Sequence, residues 1–258
     1  MTAAAIRLRS VDLRVGGADI LRDVTMDVAF GRVLALVGPN GAGKSSLLGV
    51  MAGDVRPSSG EVLVDGRPVG DVRPPELARM RSVLLQENRV AFAFTAHEVV
   101  AMGRAPWRGA DGASDDDAIA EAMAAADVAH LAERTYVSLS GGEKARVSLA
   151  RVLAQETPVV LLDEPTAALD LRHQEDVLRA ARRLAGIGRA VVIVLHDLSL
   201  AAAYADDVAM IAGGTLAAVG APAAVLTADR IESVYATGVR IIDDPDTGRP
   251  IVLPRRSA

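Results

Sequence analysis

The chain carries the sequence Gly38-Pro39-Asn40-Gly41-Ala42-Gly43-Lys44-Ser45. This stretch fits the pattern Gly-x-x-x-x-Gly-Lys-Ser/Thr, and it lies between the apolar run Val33–Val37 and a segment expected to be helical. Glycines in such a phosphate loop (residues 38–45) let backbone N–H groups approach phosphates, whose negative charge the following helix N-terminus favours. Lys44 is expected to reach the β- and γ-phosphates, and Ser45 to ligate Mg²⁺. An ordinary glycine-rich turn is the alternative, and the flanking strand and helix disfavour it.

Short apolar runs around this loop predict an α/β fold. Val33–Val37, Val159–Leu162 and residues 191–195 are continuous apolar segments, as expected for parallel strands buried on both faces. Residues 6–15 and 24–30 alternate between apolar and polar, which predicts an antiparallel layer at the edge. The expected fold is a P-loop NTPase core with an antiparallel β layer.

The strand pattern stops between residues 87 and 155. Within this segment, residues 115–128 and 147–153 are expected to form helices and residues 105–113 a loop, which predicts an inserted α-helical subdomain. Near the C-terminus, residues 239–242 and 250–253 flank a turn and are expected to form a β-hairpin. The predicted division is a nucleotide-binding core (residues 1–86 and 156–228), a helical subdomain (residues 87–155) and a C-terminal tail (residues 229–258).

Composition excludes several classes of function. The 258 residues contain no cysteine, which rules out a disulfide framework, a thiolate metal site and a cysteine nucleophile. The formal net charge of −5 argues against a broad nucleic-acid groove. No window approaches the ~18 uncharged apolar residues that a membrane span requires, so we expect a soluble chain with any membrane role supplied by a partner. Lysine occurs only at Lys44 and Lys144, and a compact ammonium at Lys44 differs physically from a guanidinium.

Two carboxylates end the apolar run Val159–Leu162. Asp163 and Glu164 are expected at the carboxyl edge of the sheet, beside the phosphate loop. Asp163 is then placed to hold Mg²⁺ through water. Glu164 is the candidate general base for an attacking water, a role typically worth ~10²–10⁴ in rate. Alone, the pair could equally be solvated carboxylates at the start of a loop; beside a phosphate loop, the catalytic interpretation is favoured.

The turn Ser140-Gly141-Gly142-Glu143 has both a structural and a functional interpretation. Ser-x-x-Glu before a helix is a capping box, which explains Ser140 and Glu143 without any ligand. It does not explain the two glycines, each of which costs about 1 kcal/mol in a helix relative to alanine. The glycines favour a backbone that something approaches closely, such as a γ-phosphate.

Two further polar residues gain meaning only from their positions. His196 follows the strand predicted at residues 191–195, although a lone histidine there would be interpreted as a surface residue. Gln86 stands where the predicted core gives way to the helical insert. His97, His130 and His173 lack the spacing of metal ligands and are expected to be structural or solvated.

As a set, these motifs resemble the ATP-binding subunits of ABC transporters. The matching segments, in chain order, are residues 38–46 with Ser46 after the loop, Gln86, residues 139–143, residues 161–164, Ala168-Leu169-Asp170 and His196. The resemblance implies a homodimer that binds two ATP molecules head to tail, with the phosphate loop of one copy facing Ser140 and Gly142 of the other. It also implies that Gln86 contacts Mg²⁺ and couples the site to the membrane subunit. Asp170 would bridge the two sites, and His196 would contact the γ-phosphate.

The resemblance also implies partners and a location. The expected partners are two transmembrane permease subunits and, indirectly, a periplasmic or extracellular substrate-binding protein, and no nucleic-acid partner is expected. The expected location is a peripheral position on the cytoplasmic face of the cell membrane.

The chain departs from the family pattern at two positions. The family usually has an aromatic residue near position 15 to stack on adenine, where this chain has Val15, and Thr is commoner where this chain has Ser46.

A narrower resemblance concerns the transported substrate. Residues 92–95, which read Phe-Ala-Phe-Thr, and residues 98–104 are similar to importers of iron chelates, haem and cobalamin. The continuation Ala105-Pro106-Trp107 is most similar to the ATP-binding subunits of haemin importers. A ferric siderophore or cobalamin importer is the alternative. A soluble ABC ATPase acting on nucleic acid or ribosomes is disfavoured, because the chain has no coiled-coil insertion, zinc hook or second cassette.

Overall fold

The computed structural model describes residues 4–85, 93–108, 115–167 and 169–256. The strands in these ranges are β1 (Ala4–Val15), β2 (Ala18–Ala29), β3 (Val33–Val37), β4 (Ser59–Val64), β5 (Arg67–Pro68), β6 (Arg81–Leu84), β7 (Val159–Leu162), β8 (Ala190–Val194), β9 (Asp207–Ala212), β10 (Thr215–Gly220), β11 (Val239–Asp243) and β12 (Pro250–Pro254). The α-helices are α1 (Lys44–Ala52), α2 (Pro74–Met80), α3 (Ala96–Ala101), α4 (Asp115–Ala125), α5 (Gly141–Ala154), α6 (Leu171–Gly186), α7 (Leu198–Tyr204), α8 (Pro222–Val225) and α9 (Ala228–Tyr235). Every helix among them is too short or too polar to traverse a bilayer.

A six-stranded sheet in the order β10-β9-β3-β8-β7-β6 forms the centre of the molecule. The pairs from β9 to β6 are parallel, and β10 is antiparallel to β9. Leu34 and Leu36 pack into one buried apolar cluster, while Val33, Ala35 and Val37 pack into the other. Both faces of β3 are therefore covered, which explains why its sequence is continuously apolar and why its bounds were predicted correctly.

The predicted antiparallel layer is confirmed as a four-stranded sheet in the order β2-β1-β4-β5. β4 and β5 are joined through Asp65 and Gly66, whose φ angles are 48° and 74°. Two successive left-handed residues are the signature of the type I′ turn, which matches the twist of the flanking strands.

The segment between β6 and β7 is helical where it is described. α5 packs against α3 and α4. The helix predicted at residues 147–153 begins earlier, at Gly141, and the helix predicted at residues 115–128 ends at Ala125. The loop predicted at residues 105–113 was wrong for residues 105–107, which belong to the 3₁₀ helix Met102–Trp107. The C-terminal end of that 3₁₀ helix is held by the segment that follows α5, because Trp107 Nε1 donates to the Gln155 carbonyl oxygen at 2.7 Å.

The tail ends in the predicted hairpin, in which β11 and β12 pair from Val239 opposite Pro254 to Asp243 opposite Pro250. Val239 is buried in the larger apolar cluster, together with Ile231 of α9. The hairpin also contacts α7. The tail thus packs against the core beside the edge of the sheet where β8 ends.

Candidate functional site

The phosphate loop leaves the end of β3 and enters α1, and the surrounding chain leaves little room for side chains at Gly38 and Gly43. Gly38, Gly41 and Gly43 have φ angles of 152°, 75° and 101°. A Cβ at Gly38 would lie 2.2 Å from the Ile211 carbonyl oxygen, and one at Gly43 would lie 3.0 Å from the Ile20 carbonyl oxygen. A side chain at Gly38 would require the Ile211 backbone to move, and one at Gly43 would be disfavoured by its positive φ angle and close neighbours, so the chain's own structure favours glycine at both positions.

Lys44 lies against the loop that it follows. Its side chain is 5% exposed, and Nζ donates to the carbonyl oxygens of Gly38 at 2.9 Å and Pro39 at 3.0 Å. Burial lowers the pKa of Lys44, and the carboxylates of Glu164 and Asp163 oppose that shift. A compact ammonium can donate to two neighbouring carbonyls in this space, which gives a physical reason for lysine at this position.

The two predicted Mg²⁺ ligands within the described residues lie in contact. Ser45 Oγ, in the first turn of α1, donates to Asp163 Oδ1 at 3.1 Å, directly after β7. Asp163 is 5% exposed, and burial raises its pKa, with the Ser45 hydroxyl and Lys44 opposing. A hydroxyl and one carboxylate suit Mg²⁺, which keeps several waters and is completed by substrate phosphates.

Asp163→Asn is expected to stabilise the nucleotide-free chain at pH 7–8. Because burial raises the pKa of Asp163 in the folded chain, its ionised form opposes folding at neutral pH, and the amide removes that opposition. The gain should fade as pH falls towards about 4, where the unfolded carboxyl is also protonated. Thermal unfolding across this pH range measures it, and each kcal/mol gained raises Tm by roughly 2–4 °C in a chain of this size.

Asp170→Asn is the matched control, because this substitution is expected to lower the stability of the folded chain at neutral pH rather than raise it. Hydrogen bonds from His173 lower the pKa of Asp170, so the ionised form supports folding at neutral pH and this support is lost as pH falls. A Tm for Asp163→Asn at or below that of the unmodified chain at pH 7–8 would contradict the cost assigned to the buried carboxylate.

Glu164 and His196 form a pair at the carboxyl ends of β7 and β8. His196 Nε2 lies 2.6 Å from Glu164 Oε1, with the glutamate side chain 11% exposed and the imidazole 46% exposed. Glu164 has a φ angle of 48°, a left-handed conformation that costs roughly 1–2 kcal/mol for a non-glycine residue. The strained backbone and the imidazole together fix the carboxylate beside Asp163.

The capping box at residues 140–143 is confirmed. Ser140 Oγ accepts from the Glu143 N–H at 3.3 Å, and Glu143 Oε2 accepts from the Ser140 N–H at 2.7 Å. A Cβ at Gly141 would meet nothing within 4 Å, and its backbone has no left-handed φ angle. The cap therefore accounts for Ser140 and Glu143, while neither local packing nor backbone conformation requires glycine at position 141.

Asp170 has a structural role in this chain. It caps α6, accepting from the His173 N–H at 3.0 Å, and His173 Nδ1 lies 2.6 Å from the same oxygen. Gln174, which the sequence did not single out, donates through Nε2 to the carbonyls of Thr166 and Leu169 and so holds the segment after Glu164. A glutamine on an amphipathic helix gives no local signal of such a contact.

Some predicted positions lie outside the described residues, namely Gln86, Phe92, Ala168 and residues 109–113. Val15 ends β1 at an exposed hairpin turn. A cavity of about 220 Å³ separates the start of α5 from the end of β7, and Leu85, Gly141, Lys144 and Glu164 are among its lining residues. The structure thus brings the phosphate loop, Asp163, Glu164 and His196 to one edge of the sheet, with the 140–143 turn across this cavity.

Comparison with known proteins gives concordant matches. Residues 21–167 match the family model described as ABC transporter, a range that includes the phosphate loop, the 140–143 turn and Glu164. The hemin import ATP-binding protein HmuV of Thermobifida fusca is 56% identical over 96% of this chain and 88% of its own length. HmuV of Streptomyces coelicolor is 55% identical over 99% of this chain and 90% of its own length.

Solved structures give similar matches. A chain of an inward-facing ABC transporter, described as of the metal-chelate type, has a TM-score of 0.83 and 25% identity, covering 98% of both chains. The dimeric bacterial ABC transporter cassette MJ0796 has a TM-score of 0.76 and 27% identity, covering 84% of this chain and 98% of the cassette.

Proposed function

This chain belongs to the ABC transporter family as an ATP-hydrolysing importer subunit, and we propose that it drives the uptake of haemin through a separate membrane permease. The observation that carries the choice of haemin is the 55–58% identity to three hemin import ATP-binding proteins over more than nine-tenths of this chain. The sequence Ala105-Pro106-Trp107, with its 3₁₀ conformation and the Trp107 contact to Gln155, lies in the segment that carries the narrower resemblance.

The proposed chemistry uses residues at the edge of the central sheet. Phosphate-loop N–H groups and Lys44 hold the β- and γ-phosphates, so that Lys44 exchanges its loop carbonyls for phosphate oxygens. Ser45 and Asp163 hold Mg²⁺, with Gln86 as a further ligand, and the bound ion would neutralise charge on the phosphates.

Glu164 is proposed as the general base. Its carboxylate accepts a proton from the attacking water, while His196, whose Nε2 lies 2.6 Å from that carboxylate, orients it and would contact the γ-phosphate. Burial of Glu164 and its fixed backbone keep the carboxylate aligned, so little reorganisation is needed when the water arrives.

We propose that the active unit is a head-to-tail homodimer. Ser140 and the N–H groups of Gly141 and Gly142 would meet the γ-phosphate held by the other copy, where a helix N-terminus favours negative charge. Two observations support this: Gly141 is exposed without an internal packing reason, and a structurally similar cassette is dimeric. Asp170 would lie between the two sites.

The homodimer would dock on two permease subunits at the cytoplasmic face of the membrane, with an external substrate-binding protein delivering haemin. Contacts near Gln86 and the proposed helical subdomain (residues 87–155) would transmit closure of the dimer to the permease. The nucleotide-binding core (residues 1–86 and 156–228) and the tail (residues 229–258) complete the proposed division.

The substrate is tested with the reconstituted transporter. The chain is co-purified with its permease, placed in liposomes and supplied with binding protein loaded with haemin, a ferric siderophore or cobalamin. We expect haemin to stimulate ATPase activity severalfold over the unloaded binding protein. Stimulation by the siderophore or cobalamin without stimulation by haemin would overturn the choice of substrate, and stimulation by added RNA or DNA would favour the soluble alternative.

A further inference from the structure

Helix α7 starts two residues after His196. Strand β8 ends at Val194, His196 follows, and Asp197 caps α7 by accepting from the N–H groups of Ser199 and Leu200 at 2.7 and 3.0 Å. With only seven residues, α7 is too short to be stable alone, so its position depends on what holds it from outside. Any movement of α7 would be passed to His196 through a single residue.

The C-terminal hairpin (β11 and β12) holds the first turn of α7. Ser199 Oγ accepts from the Val252 N–H at 3.0 Å and lies 3.4 Å from the Val252 carbonyl oxygen, to which it donates. A serine hydroxyl can donate and accept at once, so one side chain occupies both backbone groups of a β12 residue. The contact joins residues 53 positions apart in the chain.

The same hairpin holds the last turn of α7. Arg249 Nη1 donates to the carbonyl oxygens of Ala202, Ala203 and Ala205 at 2.8, 2.9 and 3.0 Å. The final carbonyls of a helix have no partners within it, and a cation is favoured at that end. Arg249 thus donates hydrogen bonds to the last carbonyl oxygens of α7, the helix that begins two residues after His196.

The tail also reaches the phosphate loop. The hydroxyl of Tyr235, at the end of α9, is buried, and burial raises its pKa to about 12. The Gly38 N–H lies close enough to oppose that rise in pKa. Among the described residues, however, the Tyr235 hydroxyl has no hydrogen-bond partner of good geometry. The tail therefore also lies near the loop that follows β3.

We propose that the C-terminal hairpin positions His196 for ATP hydrolysis by fixing α7 at both ends, with Arg249 as the main positioning residue and Ser199 as the second. The inference rests on the proposed role of His196 at the γ-phosphate. Without Arg249, the last carbonyls of α7 lose their donor, the helix loosens against β12, and the imidazole is no longer held 2.6 Å from Glu164.

The test compares Arg249→Ala, Arg249→Lys and the milder Ser199→Ala with Arg240→Ala, a control on the exposed face of the same hairpin. Kinetics are measured on the complex with its permease. Imidazole NMR signals are recorded on the full chain, whose four histidines allow His196 to be assigned with a His196→Gln variant.

For Arg249→Ala we expect kcat to fall about tenfold, below the ~10²-fold that a 1 Å misplacement can cost. The KM for ATP should stay within about twofold, because the lost interaction acts in the transition state. The His196 signal should shift and broaden while those of His97, His130 and His173 stay unchanged. Ser199→Ala should change the same quantities less, Arg249→Lys should recover part of the loss, and Arg240→Ala should match the unmodified chain.

The two readouts separate the inference from the proposed function. An unchanged His196 signal in both Arg249→Ala and Ser199→Ala would overturn the positioning role, whatever the activity. A displaced His196 signal with unchanged kcat would uphold the positioning role and overturn the role proposed for His196 in hydrolysis. Equal signal changes in all four histidines would indicate general loosening and would also overturn the inference.

Discussion

Replacing Glu164 with glutamine is expected to lower kcat by ~10²–10⁴-fold, the typical contribution of a general base. Glutamine has the same shape and can still accept a hydrogen bond from His196 Nε2, 2.6 Å from the present carboxylate oxygen, but it cannot take a proton from water. Because ATP binding is left intact, ATP-bound homodimers should accumulate. Single-turnover hydrolysis and light scattering at millimolar ATP measure the two effects.

Glu121→Gln, on the exposed face of α4, is the control for removing one negative charge, and it should leave activity unchanged. If Glu164→Gln keeps more than about a tenth of the activity, Glu164 is not the general base. If the variant stays monomeric at millimolar ATP, both with and without its permease, the homodimer model fails.

The sequence predicted the site best where one short segment determines its own conformation. β3 and β7 were predicted to the residue because their apolar runs are continuous, and the glycines of the phosphate loop carry the turn themselves. β8 was predicted at residues 191–195 but spans Ala190–Val194, a shift of one residue. The strand begins with Ala190, and a hydrophobic pattern does not distinguish an alanine there from a loop residue. The apolar pattern alone placed the helix at residues 147–153, whereas the capping box at Ser140 marked the true start of α5, because the cap outweighs the low helix propensity of Gly141 and Gly142.

Contacts between distant segments could not be predicted in this way. Arg249 meets α7 across 44–47 residues of sequence, and nothing near either partner marks the other. The left-handed backbone of Glu164 is likewise imposed by its surroundings, since glutamate has no preference for that conformation. The residues proposed to carry the chemistry were thus singled out by local sequence pattern, whereas the contacts that orient them come from tertiary packing.

Gly141→Ala is expected to separate stability from activity. An added Cβ meets nothing within 4 Å in the chain, and alanine is favoured over glycine in a helix by up to about 1 kcal/mol, so the free energy of unfolding should be equal or higher. If a γ-phosphate of the other copy approaches this backbone, the methyl group should block it. We then expect ATPase activity to fall by ~10²-fold, comparable to removing one donor from a preorganised anion site.

Gly186→Ala is the matched control, because Gly186 is also helical and exposed, and a Cβ added there would likewise meet nothing within 4 Å. It should raise stability in the same way and leave ATPase activity unchanged. Urea unfolding and steady-state hydrolysis measured on both variants distinguish the cases. Full activity in Gly141→Ala would show that no phosphate approaches this backbone.

Mixing two inactive variants then tests whether residue 141 acts on its own chain or on the other copy. In a head-to-tail homodimer, a Gly141→Ala chain paired with a Lys44→Ala chain has one site with both its phosphate loop and its 140–143 turn intact. Activity should return to roughly a quarter of the unmodified level, since half of randomly formed dimers are mixed and each has one working site of two. If both features act within one chain, every site in the mixture carries a defect and no activity returns, so recovery on mixing requires that the copies complete each other's sites.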